Sequence, residues 1–271
     1  MKTIPELWIN NVGMVWGLMT VVWLISLLRR NSGVVDVFWG LGFLMLCMYT
    51  FFWESVGVPR QFVFMGIVVA WALRLATHIF FRSLGKPEDW RYAQWRATDP
   101  QNWWWKSYLK VFLLQGVIML ALFPVMMVVL VAPIPDDWTF WDTIGTVLCG
   151  IGFLFEWTAD RQLLNWKRKP ENSSQVMDRG LWRYSRHPNY FGEAVLWWGF
   201  GCFTVSVGAW WALYSPLLMT YLLLRVSGVA MLERGLAGRK LAYEGYIRRT
   251  SVFIPWFPKK ENTATHHQHQ A

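Results

Sequence analysis

Long runs of apolar residues, most of them set off by charged connections, recur along the chain. Seven of them, near 8–28, 34–53, 62–81, 108–132, 140–164, 190–207 and 209–231, are long enough for a helix to cross about 30 Å of hydrocarbon. They are too long and too uniformly apolar for barrel strands, and lipid tolerates no unpaired backbone, so helices follow. The pattern predicts an all-α, polytopic membrane protein of about seven transmembrane helices. No internal repeat or linker separates a second domain, which gives one transmembrane domain over 1–258 and a polar disordered tail over 259–271. The tail holds three of the five histidines; a disordered end explains it better than a metal site, and no metal is expected elsewhere.

The connections alternate in charge. Arg29 and Arg30 follow the first run, and Arg82, Lys86, Arg91, Arg96, Lys106 and Lys110 fill the third connection. Lys167, Arg168, Lys169, Arg179, Arg183 and Arg186 fill the fifth, and the region after the seventh run is basic again. The opposite set offers Glu54, Arg60, Asp136, Asp137 and Asp142. By the positive-inside rule the N-terminus is outside and the C-terminus cytoplasmic, as an odd number of spans permits.

Composition agrees with the pattern. Only 16% of the residues are charged, against about 25% in soluble domains. Many of the 21 tryptophans lie near the ends of apolar runs, where amphipathic rings favour the interface. The net charge of +9 comes from connections of the cytoplasmic kind, so no nucleic-acid partner is inferred. Cys47, Cys149 and Cys202 each fall inside an apolar run and read as small buried hydrophobes. The first run lacks a small-residue cleavage site after it and reads as a retained span. The protein is expected to be integral and multi-pass, in the inner membrane if its source is a bacterium.

Ionisable residues inside the runs need a partner or a water-filled cavity. Here they are Asp36, Glu54 at the end of a run, Arg74, Glu156, Asp160, Arg161, Glu193 and Arg225. Glu156, Asp160 and Lys167 follow i, i+4, i+11 along one helical face. Structural salt bridges, such as Arg74 with Asp160, are one reading for each residue alone. For the whole set, the cost of burying so many charges favours a polar chamber in the cytoplasmic half.

The stretch "SRHPNYFGE", 185–193, opens the sixth run. Pro188 suits the first position of a helix, whose first turn would leave backbone N–H groups at Asn189, Tyr190 and Phe191. Arg183, Arg186 and His187 stand just before it. Amides, helix dipole and guanidinium groups together suit an anion such as phosphate or pyrophosphate. Glu193 could accept from the same ligand or pair with Arg225. A helix start anchored to anionic lipid explains the arginines but does not require Asn189, Tyr190 or Glu193.

"SRHPNYFGE" resembles the RHPNY(L/F)G(D/E) signature of membrane sterol reductases. "YEGYIRRTSVFIPWFP" and "LRLATHIFFRSLGKPEDWRY" are similar to the bacterial branch of the steroid 5α-reductase superfamily, over about residues 30–258. The resemblance implies a seven-helix fold whose cytoplasmic half binds NADPH, with lipids and a lipophilic small molecule as partners. Carried over, Arg74, Lys86, Asp160, Lys167, Arg186, Asn189, Glu193, Arg225 and Tyr246 would line the cofactor cavity, with Arg183, Tyr184, His187, Tyr190 and Tyr243 beside them. Lys167 to Lys169, or Arg248 and Arg249, would meet the 2′-phosphate. The lack of a G-x-G-x-x-G after a predicted strand agrees with a non-Rossmann cofactor site.

The resemblance also implies reduction of an activated C=C bond. "FFWESVGVP" is similar to the region where steroid 5α-reductases hold a Gln–Glu pair, so Glu54 matches the glutamate that donates to the substrate oxygen. Asp36, within "VVDVFWG", is a second candidate catalytic acid, able to enter the chamber from the same helix. Trp53 stands where the glutamine belongs and Trp71 near the place of a tyrosine. The reaction class carries over on these residues; 3-ketosteroid specificity does not follow. The alternative is an S-adenosylmethionine-dependent lipid or isoprenylcysteine-type methyltransferase, which shares an RHP-x-Y-x-G core. The acid at Glu193 matches the reductases, and the paired glutamates of those methyltransferases appear only as Glu233 followed by Arg234.

Overall fold

The computed structural model describes residues 4–173, 175–226, 228, 229, 233 and 241–259. The expected tail beyond Lys259 lies outside them. Most of the described residues are helical, with no β-strand among them. They form α1 (Ile4–Arg29), α2 (Val34–Glu54), α3 (Pro59–Ser83), α4 (Trp90–Thr98), α5 (Trp103–Ser107), α6 (Leu114–Leu122), α7 (Pro124–Val131), α8 (Phe140–Lys167), α9 (Pro188–Ser206), α10 (Tyr214–Tyr221) and α11 (Leu241–Arg249).

Four stretches combine the length and apolarity of a membrane span: Glu6–Arg29, Val34–Glu54, Pro59–Ser83 and Trp103–Leu122. The fourth begins before the expected 108 and stops well before 132. It runs through α5, a π turn at Tyr108–Leu113 and α6, and breaks where Pro124 supplies no N–H and starts α7. The remaining expected runs are helical but polar or interrupted. α8 carries Asp142, Glu156, Asp160, Arg161 and Lys167, and α9 opens on Pro188-Asn189-Tyr190 and holds Glu193. The last run divides into a 3₁₀ turn at Trp210–Leu213, α10 and a π turn at Leu222–Val226.

The chain forms two compact units, Met1–Thr146 with Phe200–Pro216, and Val147–Gly199 with Leu217–Ala271. In the first, α2 packs against α1, α3, α6 and α7. Gly40 permits the α2–α3 approach: a Cβ there would lie 3.0 Å from the Ala72 carbonyl oxygen. Phe43, Phe64, Trp71 and Phe200 fill this core.

Two polar clusters tie the connections of this unit down. Arg60, 1% exposed, donates to both carboxylate oxygens of Asp142 (2.7 and 2.8 Å) and to the carbonyls of Pro135 and Asp137. Asp142 also accepts from the Thr139 amide and hydroxyl. Around α4, Arg96 grips Glu88 with two bonds of 2.9 Å, and Arg91 bridges Asp89 and Asp36. Burial pushes the Asp89 carboxyl up, but hydrogen bonds from Arg91 outweigh it and hold the group below its usual range.

Candidate functional site

In the second unit, α8 (from Val147) and α9 meet backbone to backbone. A Cβ on Gly152 would lie 2.5 Å from the Leu196 amide nitrogen, and one on Gly192 would lie 2.6 Å from that of Glu156. No side chain fits at either position, so the glycine of "NYFGE" is a packing requirement. This contact brings buried Glu156 and Asp160 to the start of α9, where the Asn189 amide donates to Asp160 at 3.2 Å.

The segment before α9 is pinned from both sides. Gly180 takes a left-handed φ of +59° and is packed against the Gln162 side chain, which accepts from the Leu181 amide. The Trp182 indole donates to the Ala159 carbonyl at 3.0 Å. The Ser185 hydroxyl donates to the Phe253 carbonyl and accepts from the His187 amide, and the Arg186 amide donates to the Ser251 carbonyl. Helix α9 starts at Pro188, as expected. One expected free amide is in use, however: Phe191 donates to the His187 carbonyl at 3.0 Å, closing the first turn.

Tyr246 is part of the pin. Its buried hydroxyl donates to the Trp182 carbonyl at 2.5 Å and lies 3.3 Å from that of Ser185. Burial pushes the hydroxyl well above its ordinary value and neighbouring Tyr243 adds to the shift, so it stays a donor throughout the neutral range. Tyr246→Phe is expected to cost about 1–2 kcal/mol of stability. It would be read as a lower melting temperature of the purified protein; an unchanged one would remove the pin.

The centre of the site is Arg186, 8% exposed. Its Nη2 lies 2.9 Å from Glu233 Oε1, while Nε and Nη1 are buried and meet no acceptor among the described residues. His187 Nε2 lies 3.4 Å from the same carboxylate oxygen but is not aligned for a hydrogen bond. The His187 ring stacks on Tyr190 at 5.8 Å and 8°. Asn189 Oδ1 is a buried acceptor that meets no donor among the described residues. Glu193, buried one turn deeper, accepts from the Trp197 indole at 3.0 Å. Guanidinium and imidazole donors therefore share one helix start with an amide acceptor and several carboxylates. Such a set suits a ligand that carries both anionic oxygens and N–H or O–H groups.

Residues 22–250 match the family described as "Protein of unknown function (DUF1295)", a range that takes in α8, α9 and α11 and stops just before Ser251 and Phe253. The chain belongs to the DUF1295 family. The family is related to the steroid 5α-reductases. An uncharacterised protein of Schizosaccharomyces pombe is 23% identical over 211 residues, which cover 68% of this chain and 60% of the yeast protein. No solved structure matches the chain.

Within this family member, the expected site residues fall into three groups. Asp160, Arg186, His187, Asn189, Tyr190 and Glu193 gather at the start of α9, with Tyr243 and Tyr246 buried in the second unit. Lys167, Arg183, Tyr184 and Arg225 also belong to that unit but are exposed. In the first unit, Glu54 is 5% exposed at the end of α2, Arg74 is half-buried on α3 and Lys86 is exposed. Asp36 there accepts from the Tyr92 hydroxyl at 2.8 Å and from Arg91 at 3.1 Å. Trp53 is exposed, whereas Trp71 is buried against Phe43 and Phe200.

In the sequence Glu233 stood out only in comparison with methyltransferases, and Glu156 only as one of the charges of the polar chamber, with no cofactor contact assigned to it. Glu233 had a signal: it is the first acid after Glu193, at the end of a long acid-free stretch.

Proposed function

We propose that the protein is an integral membrane reductase that uses NADPH to reduce an activated C=C bond in a lipophilic, steroid- or sterol-like enone taken from the bilayer. The proposed chain crosses seven times, with its N-terminus outside and its C-terminus cytoplasmic; the alternation of charge between the runs supports this. The observation that carries the reading is Arg186, a buried guanidinium at a helix start whose Nε and Nη1 meet no acceptor among the described residues. Desolvated donors of this kind are costly unless an anion engages them.

Arg186 and His187 would hold phosphate oxygens of the nucleotide, helped by the positive end of α9. Asn189, oriented by Asp160, would accept from an amide or hydroxyl of the same ligand. NADPH, when bound, supplies hydride to the electron-poor carbon. Glu54 is the acid assigned to the substrate oxygen, where a donor stabilises developing negative charge.

Arg186→Ala is expected to weaken NADPH binding roughly thirtyfold, the loss of about 2 kcal/mol for a charge-assisted hydrogen bond. Isothermal titration of the purified protein measures it, and unchanged affinity would remove Arg186 from the nucleotide site. One observation favours the methyltransferase alternative. Glu233 beside Arg186 makes an acid–base pair that also suits the amino-acid zwitterion of S-adenosylmethionine.

A further inference from the structure

Arg179, Arg183, Arg249 and Lys259 line an open groove of about 570 Å³ in the second unit, with Pro258 at its edge. Asp178 is the one carboxylate in its lining, and Arg249 engages it at 2.5 Å. Arg179 is laid over the Trp166 ring at 5.3 Å. Beyond the Arg249–Asp178 pair the lining therefore carries three cations, Arg179, Arg183 and Lys259.

The adjoining segment, 251–258, carries the second observation. Its backbone is fixed: the Ser251 and Phe253 carbonyls are held as described, the Trp256 amide donates to the Tyr184 carbonyl, and the Lys259 amide to that of Arg249. Yet this anchored strap presents Ile254, Trp256 and Phe257 at 63%, 70% and 78% exposure. Large apolar side chains held outward on a fixed backbone mark a surface built to meet something apolar. Aromatic rings beside arginine and lysine are the composition of the boundary between headgroups and acyl chains.

We propose that the groove and strap together bind an anionic phospholipid. The headgroup phosphate meets Arg179, Arg183 and Lys259, and the upper acyl region lies against Ile254, Trp256 and Phe257. The exposed Arg183 thus serves the lipid, whereas the buried Arg186 three residues on serves the site at the start of α9. The strap joins them, because its Ser251 and Phe253 carbonyls hold the residues that open α9.

The test titrates phosphatidylglycerol and phosphatidylcholine into the delipidated full chain in neutral detergent, with bound lipid counted by native mass spectrometry. Phosphatidylglycerol is expected to bind in preference, and more weakly as salt rises. Arg183→Gln with Lys259→Gln is expected to weaken it roughly thirtyfold, since each cation near a lipid surface contributes about fivefold. Trp256→Ser with Phe257→Ser is expected to weaken both lipids. All four positions are exposed, so an unchanged melting temperature confirms an intact fold. Wild-type binding of phosphatidylglycerol by the Gln variant would overturn the proposal. So would displacement of the lipid by equimolar inorganic phosphate, which makes the groove a free-anion site, or by NADPH, which makes it part of a nucleotide site. The readout needs no nucleotide, so failure of the reductase reading leaves it unaffected.

Discussion

Replacing Glu54 with glutamine is expected to lower NADPH-dependent turnover of any accepted lipophilic enone by about 10²-fold or more, while nucleotide affinity stays nearly unchanged. The substitution keeps the volume and an N–H donor but removes the acid. Glu54 is buried at the end of α2, whereas the residues proposed for the nucleotide gather at the start of α9. Binding and turnover are therefore separable measurements. Asp36→Asn is the control on the same helix. Its carboxylate is held by Tyr92 and Arg91, so its loss is expected to loosen α4 and leave turnover within a fewfold of wild type. Normal turnover in Glu54→Gln, with inactivity in Asp36→Asn, would move the acid to the other end of α2.

Arg60→Leu is expected to destabilise the protein by about 3–5 kcal/mol, because Asp142 would remain buried without its counter-charge. The apparent melting temperature would fall by on the order of 10 °C. The double variant Arg60→Leu/Asp142→Leu removes the orphaned carboxylate and is expected to recover much of the loss. A single variant as stable as wild type would show that the pair adds nothing to the fold.

The Arg60–Asp142 pair also shows where sequence reading stops. The apolar runs are legible because lipid and core both demand apolar side chains over a fixed helical length. Helix α9 could be placed to the residue, since Pro188 has few other roles at such a position. Arg60 and Asp142 were legible only as two charges in connections, because nothing local tells a partner 82 positions away from solvent. The same holds for Arg91 and Arg96, which read as connection cations and are engaged by Asp36, Asp89 and Glu88. The break before α7 was signalled by Pro124 but masked by the apolar residues on either side.

At the site, the local part was legible and the long-range part was not. "SRHPN" announces a helix start with cations and an amide, and the structure puts them there. The Gly152–Gly192 contact was not visible, because a glycine in an apolar run gives no sign of which backbone will meet it. The second role of the chain's end was hidden for a similar reason. Tyr246, Ser251 and Phe253 act through the segment before α9, and only the fold brings them to it.

The most direct test of the account is which nucleotide the folded protein recognises. A ligand that binds only the native state raises the melting temperature in proportion to its saturation. NADPH added to the detergent-solubilised protein is expected to raise it, with S-adenosylmethionine without effect and Arg186→Ala losing most of the shift. A rise with S-adenosylmethionine and none with NADPH would contradict the reductase reading and assign the start of α9 to methyl transfer.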